Sequence, residues 1–592
     1  MKSNGVNIFI SNNSNSKNND INNHKSLENQ EDEQQSLKDE RTSYKLTLRK
    51  QKLKVKLYNK RIFQANNKFI KIGCENIEIK RYTKEDLANG KIYADIKNAY
   101  NENNIIELKQ NLLGLSFFLE NISVDNGELL NYLKNSNTDG GENFPIGILL
   151  YEIMLHINDK LIFINSINIL LNCSFISDDF CSLLTTKEKI SEILKRLIYF
   201  YPLFIEGKKL NENNNTDKEE NKIESYFTGN QVLKLLGNLI INAKTYEAFE
   251  SNNLYNKIFY LLSIFDLNFE NRKNIKHAYE YLETLLWLVH LLFDKIENIK
   301  LNYFDKIINI IPNLLNSIRA LYFTQETELL EYIIYILGEI QNSSNTISSK
   351  EIIENDGLKI LSNLFGYLFN ADKNSFEIEI NPRITLSILS IFTDIFFLET
   401  KDIINYDLSQ FILVFEKLFD IYKMHHSNHY DIQDVLLQLL SNLACFCDVG
   451  EIVIKIFFNN KMMNNLFVYY YNYHKSRTMQ ILDNIIVKQH KKIKDFILDI
   501  GGFNVIKNSI VNYDSECMEN IMEEGLVALY HLINSEKQFN IRLLFEKLYR
   551  TAIPEKIKEI ELNIDLHTEI DTKVKMIILD FETYEKSLEN EI

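Results

Sequence analysis

Seven times between residues 233 and 536 the chain sets down an apolar stretch long enough for about three helical turns and places one polar residue at the same phase of it. The copies are LKLLGNLIINA (233–243), LLWLVHLLFD (285–294), IIYILGEIQN (333–342), ILSIFTDIFF (388–397), LLQLLSNLACF (436–446), MQILDNIIVKQ (479–489) and LVALYHLINSE (526–536). The polar residues are Asn238, His290, Glu339, Asp394, Asn442, Asn484 and His531. A helix that is apolar almost all round has to be buried, and a repeated one is buried against its own copies. Such units stack one upon the next, so one residue per unit at constant phase falls in a line along one face of the stack. A buried amide in that line has two uses: to satisfy a backbone group of its neighbour, or to grip an extended ligand.

A second pattern sets the period. Short breaks precede an apolar helix at Asn253, Asp305, Gly357, Lys461 and Gly502, at spacings of 52, 52, 104 and 41, and a weaker break near Asp407 divides the long interval. Periods of about 40–47 residues with two or three helices each mark armadillo or HEAT arrays, the excess being loop insertion. Only 18 Gly and 5 Pro occur in 592 residues, too few for the turns of a β fold this long. The expected fold is all-α, an armadillo-repeat right-handed superhelical solenoid over residues 104–585, with a disordered N-terminal basic arm. The stretch from Gly207 to Lys222 is expected as an exposed polar loop.

The N-terminal part reads differently. Residues 1–40 are rich in Asn, Ser, Gln, Lys and Glu and are expected to be disordered. Residues 41–63 form a basic segment: Arg41 to Arg61 holds nine basic residues and no acidic one, in a chain whose net charge is −15. Leu53 and Leu57, with Tyr58 and Arg61 on neighbouring rows, give it a thin helical stripe that would fold only against a partner. It either docks on an acidic partner or folds back on its own acidic body; a merely solvated charge run is the common alternative. Residues 64–103 are expected as a linker and 586–592 as a C-terminal tail.

Several classes are set aside. The six Cys are scattered, which points to a reducing compartment. Cys445 and Cys447 are expected as core residues of an apolar helix. The N-terminus shows no signal-type apolar core, and the longest strongly apolar run, Thr284 to Phe293, falls short of the about 20 residues of a membrane span. The acidic body argues against direct nucleic-acid binding. His425, His426 and His429 are expected as an exposed loop rather than a metal site, since no further ligand set accompanies them. No phosphate loop or nucleophile motif stands out, so the expectation is a protein without cofactor or enzymatic activity, and a monomer.

Two sets of residues resemble the importin-alpha family. Leu48, Arg49, Lys50 and Lys52, followed by Lys60, Arg61 and Phe63, are similar to its importin-beta-binding segment. Asn238, Asn442 and Asn484 match the Asn of its Trp-x-x-x-Asn helices, LLGNLI resembles its second-repeat helix, and residues 566–582 resemble its last repeat. The resemblance implies a nuclear import adaptor, present in cytoplasm and nucleus. Arg49, Lys50, Lys52, Lys54, Lys60 and Arg61 would bind an importin-beta-like receptor. Asn238, Tyr335, Glu339, Asp394, Asn442 and Asn484 would hold a basic or other extended cargo peptide. The chain departs from the family where the groove Trp should stand, four residues before each polar residue: Lys234, Leu286, Tyr335, Ser390, Gln438 and Gln480 occupy those places. Trp287 is one position out of phase and is expected in the core. Short lysine-rich signals should therefore bind weakly. The alternative is a cytoplasmic armadillo scaffold for other extended peptides, as catenin-like proteins are; a regulatory subunit of HEAT type would leave the basic arm unexplained.

Overall fold

A computed structural model describes residues 79–121, 144–200, 217–370, 382–397, 409–423, 430–445, 451–512, 519–537 and 541–589, with short gaps inside several of these ranges. The expected disordered tail and the basic arm lie outside the described residues, as does the weaker break near Asp407. The chain divides into two units, residues 1–132 and 133–592. Among the described residues every regular element is helical.

In the first unit, α1 (Lys84–Ala88), α2 (Lys91–Asn101) and α3 (Ile105–Asn121) follow one another closely, so helix begins inside the stretch expected as a linker. Thr83 starts α1 with a reciprocal cap: its hydroxyl accepts from the Asp86 N–H and the Asp86 carboxylate accepts from its own N–H. Gly90, at φ 70°, turns the chain into α2. Ile92, Ile96 and Ala99 of α2 are buried, as are Leu108, Leu112 and Leu115 of α3, the helix packed against it.

The second unit repeats. Nine helices among the described residues stack in chain order: α4 (Lys160–Ile176), α5 (Asp217–Asn242), α6 (Ile275–Lys295), α7 (Thr327–Gln341), α8 (Pro382–Phe397), α9 (Tyr430–Ala444), α10 (Lys475–Lys488), α11 (Glu519–Glu536) and α12 (Thr568–Glu589). A second layer stacks beside this ladder, among it Leu254–Ile264, Ile311–Leu321, Gly357–Asn370 and Ser409–Tyr422. Short helices such as Glu247–Ser251 and Asn345–Glu354 complete three-helix units. This is an armadillo-type helical repeat, and each of the seven sequence copies overlaps a ladder helix. The apolar periodicity explains why. In α9, Ile432, Leu436, Leu437, Leu439, Leu440 and Leu443 are all buried, a stripe wide enough for both the next rung and the second layer. A file of rings runs between the layers, from Phe365 through Phe392, Phe396, Phe411, Phe415 and Phe419 to Tyr470, with neighbouring centroids 4.4–6.2 Å apart.

The breaks have physical causes. Asn253 (φ 56°) and Asp356 (φ 60°) are left-handed residues that turn a short helix into the long one after it, a conformation that side chains like theirs tolerate best. At Lys461 the turn comes just before, where the Asn459 side chain caps the next helix. Gly502 closes a π turn, Leu498–Gly502. Asp305, by contrast, lies inside the short helix Phe304–Ile308, and the turn falls after it, at residues 309–310. The stretch expected as an exposed loop is helical from Asp217, where α5 begins. The last helix runs past Glu585 to Glu589, into the expected tail.

Candidate functional site

The polar row lies along the ladder, and its members reach back to the rung before. Asn238 Nδ2 donates to Ser174 Oγ (3.0 Å). Asn442 Nδ2 donates to the Thr393 carbonyl (2.9 Å). Asn484 Nδ2 donates to Ser441 Oγ (3.0 Å), with the Ser441 carbonyl at 3.5 Å. His531 Nδ1 lies 2.7 Å from Asp483 Oδ1. Three of these contacts share a register: the polar residue of one rung meets the residue just before the polar residue of the preceding rung. Each amide closes a polar slot between apolar helices, where an unpaired group would cost about 1–3 kcal/mol.

The central members differ. The His290 ring meets the Tyr335 ring edge-on, centroids 5.3 Å apart. Burial and the nearby Glu339 carboxylate push the Tyr335 hydroxyl well above its ordinary pKa. Glu339, 7% exposed, holds Lys300 Nζ at 2.7 Å, and that ammonium also sits 4.9 Å from the Phe293 ring centroid. Asp394 has no hydrogen-bond or ion-pair partner among the described residues, and burial pushes its acid up to about 6. In the shared register its opposite number is Gly338, which offers no side chain.

The positions that replace the family's Trp are engaged locally. Gln438 Nε2 donates to Asn442 Oδ1 (2.9 Å), Arg477 donates to Gln480 Oε1 (2.9 Å), and the Ser390 hydroxyl donates to the Leu386 carbonyl (2.9 Å). Lys234 lies near Glu280: burial pushes that carboxyl up, but His277 first, and Lys234 after it, hold it below its usual range. Leu286 is fully buried. Trp287 is 7% exposed and packs against Gly237, where a Cβ would come within 2.0 Å of the indole; the expectation of a core Trp holds, and the glycine is what admits it.

The ladder's charge is lopsided. Helices α7, α9 and α11 carry Glu328, Glu331, Glu339, Asp431, Asp434, Glu519, Glu523, Glu524 and Glu536, and no Lys or Arg. The cations on the helices between them bridge to some of these: Arg383 to Glu331 (3.4 Å) and Arg477 to Asp434 (3.6 Å). Sequence reasoning missed the acceptors Ser174, Thr393, Ser441 and Asp483, and the ion pair of Lys300. A signal was present: Thr393, Ser441 and Asp483 each stand immediately before a polar-row residue.

Other expected positions fall elsewhere. Arg49, Lys50, Lys52, Lys54, Lys60 and Arg61 lie outside the described residues, as do His425, His426, His429 and Cys447. Helix α9 ends at Ala444, leaving Cys445 half-buried just beyond it rather than in the helical core. No cluster of metal-ligating side chains occurs among the described residues, and no described helix is long and apolar enough to cross a membrane.

No protein-family model matches the chain, and no curated protein sequence does. Among solved structures it is similar to an engineered protein at 14% identity, over 84% of this chain and 99% of that one, with a TM-score of 0.47. It is similar to UNC-45 from Drosophila melanogaster at 14% identity, over 85% and 70%, with a TM-score of 0.30. A structure described as concerning a phosphorylation switch in the interaction between cadherin and beta-catenin is similar at 11% identity, over 82% and 96%, with a TM-score of 0.36.

Proposed function

We propose that the chain is a peptide-binding adaptor: an armadillo-type ladder that takes an extended basic segment along its acidic face and is recruited through its own basic arm. The observation that carries this reading is the charge of the ladder, with three of its helices bearing carboxylates and no Lys or Arg. An extended peptide laid across the rungs would meet one such helix at every second step, so its cations would find partners at a regular spacing. In the finer form of the proposal the arm, through Arg49, Lys50, Lys52, Lys54, Lys60 and Arg61, docks on an importin-beta-like receptor, and the protein shuttles cargo between cytoplasm and nucleus.

A second reading is favoured by the amides. Asn238, Asn442 and Asn484 already spend a donor between rungs, and no Trp stands at the family's positions to clamp a lysine stem. A scaffold that holds some other extended peptide in the cytoplasm needs neither feature. Affinity capture separates the two. The intact chain and a variant with Arg49, Lys50 and Lys52 each changed to Glu are used as bait, and the bound proteins are identified. On the import reading the reversal abolishes capture of an acidic receptor, and added salt weakens the wild type. Retention of that receptor by the reversed arm rejects the import reading.

A further inference from the structure

An open cavity of about 1090 Å³ lies within the first unit. One wall is the non-helical stretch of Ile79, Lys80 and Arg81; the other is the face of α3 that carries Ile106, Gln110 and Phe117. Gly114 sets their approach: a Cβ there would lie 2.2 Å from the Lys80 carbonyl oxygen, so only glycine lets the stretch cross the helix this closely. Lys80 is pinned by Asp95 at 2.8 Å, and Tyr82 is buried beneath.

Three kinds of group in this cavity lack a counterpart among the described residues. No main-chain hydrogen bond reaches Ile79, Lys80 or Arg81. The Arg81 guanidinium is exposed and has no carboxylate. Asn111, 0% exposed at the base, spends its Nδ2 on the Asp95 carbonyl (3.0 Å), and its Oδ1 has no donor. Buried acceptors are nearly always satisfied, so an orphan in a cavity wall marks a missing donor. Beside these, Ile106 is 71% exposed and Phe117 43%. Glu107, the one carboxylate in the lining, is already held by the Asn104 side chain (3.0 Å).

We propose that this cavity binds an extended acidic peptide of a partner protein. Its main chain pairs with residues 79–81, as an added strand pairs with a sheet edge. A carboxylate meets Arg81, a donor reaches Asn111 Oδ1, and a bulky apolar side chain covers Ile106. The free main-chain edge selects an extended peptide over a compact small molecule, and the unmatched guanidinium selects the sign of its charge. This site takes the opposite charge from the ladder and stands or falls apart from it.

The test is fluorescence anisotropy on the full chain with a short labelled peptide alternating Asp or Glu with Leu or Phe. Arg81→Glu and Ile106→Asp change exposed side chains, and melting curves check that both variants fold. Each should weaken the peptide about tenfold, and Lys350→Ala, at an exposed position of the second unit, should leave binding unchanged. The same peptide with Asn and Gln in place of its acids should bind about tenfold less well. Absence of binding by the wild type, binding by both variants as tight as by the wild type, or binding of the amide peptide as tight as that of the acidic one would each overturn the proposal.

Discussion

The junction between α7 and α8 and the junction between α8 and α9 use the same slot with opposite chemistry. At α8–α9 an amide, Asn442, donates to the Thr393 carbonyl and accepts from Gln438, so donors and acceptors balance. At α7–α8 the residue in register is Asp394, a carboxylate that has nothing to donate, and Gly338 stands opposite it where the next two rungs place Thr393 and Ser441. The fold is the same and the hydrogen-bond account is not. An amide-for-acid exchange costs little in shape and much in charge balance, so the ladder's middle is where an external cation or a proton gains most.

The largest effect should come from the other acid of that region. Glu339 is buried and its carboxylate rests on Lys300. Lys300→Ala would take away its ammonium partner. Removing one partner of a fully buried pair costs about 3–5 kcal/mol. Lys300 is 25% exposed, so about 2–3 kcal/mol is expected here. Hydrogen exchange should show protection lost first in α7. Unchanged protection there would mean that Glu339 draws its stability from elsewhere.

A somewhat smaller loss should follow from copying the α7–α8 chemistry onto α8–α9. Asn442→Asp replaces the donor to Thr393 with a second acceptor, at a cost of about 2 kcal/mol at neutral pH. Chemical denaturation checks this, and acid should restore part of the loss because a protonated carboxyl can donate. A neutral substitution would show that water already serves the Thr393 carbonyl.

These two residues also show what the sequence made legible. The phase of the polar row was readable because burial imposes a period near 3.6 on each helix, whatever the helix touches. The breaks at Asn253 and Gly357 were readable because the left-handed turns, at Asn253 itself and at Asp356 just before Gly357, use a conformation that few side chains tolerate. The turn at 309–310 was misplaced onto Asp305 because it uses no left-handed residue and so leaves no compositional mark. Partners were hidden for a different reason. Ser174, Thr393 and Ser441 lie 43 to 64 residues from the amides they meet, and the Thr393 acceptor and one of the two on Ser441 are backbone, which carries no residue identity. The pairing of Glu339 with Lys300 depends on the short helix Ile299–Asn302, whose place could not be read from periodicity. The cavity beside α3 was invisible because one of its walls, residues 79–81, comes from a stretch expected as a linker.

The smallest effect, and the one that tests the comparison most directly, runs the other way. Asp394→Asn should make α7–α8 like α8–α9 and stabilise the protein. The folded protein holds the Asp394 proton until about pH 6, whereas the unfolded chain releases it near the ordinary 3.8. Between those values the folded state binds more proton than the unfolded one, so stability falls as pH rises through the window. Above about 6 the deficit is complete; below 3.8 both states are protonated and it vanishes. Two pK units set a ceiling of about 3 kcal/mol, and water reaching a half-buried site should reduce the gain to about 1 kcal/mol at pH 7.5. At pH 4 the gain should largely close, because the protonated wild-type acid can then donate as Asn does. Asp394→Ala separates the two contributions: it removes the charge without supplying a donor, so it should recover less than Asn. Melting temperatures of the three proteins across pH 4–8 decide the matter. If Asn and wild type keep parallel profiles, the carboxylate has a partner in solution and the contrast between the two junctions is not electrostatic.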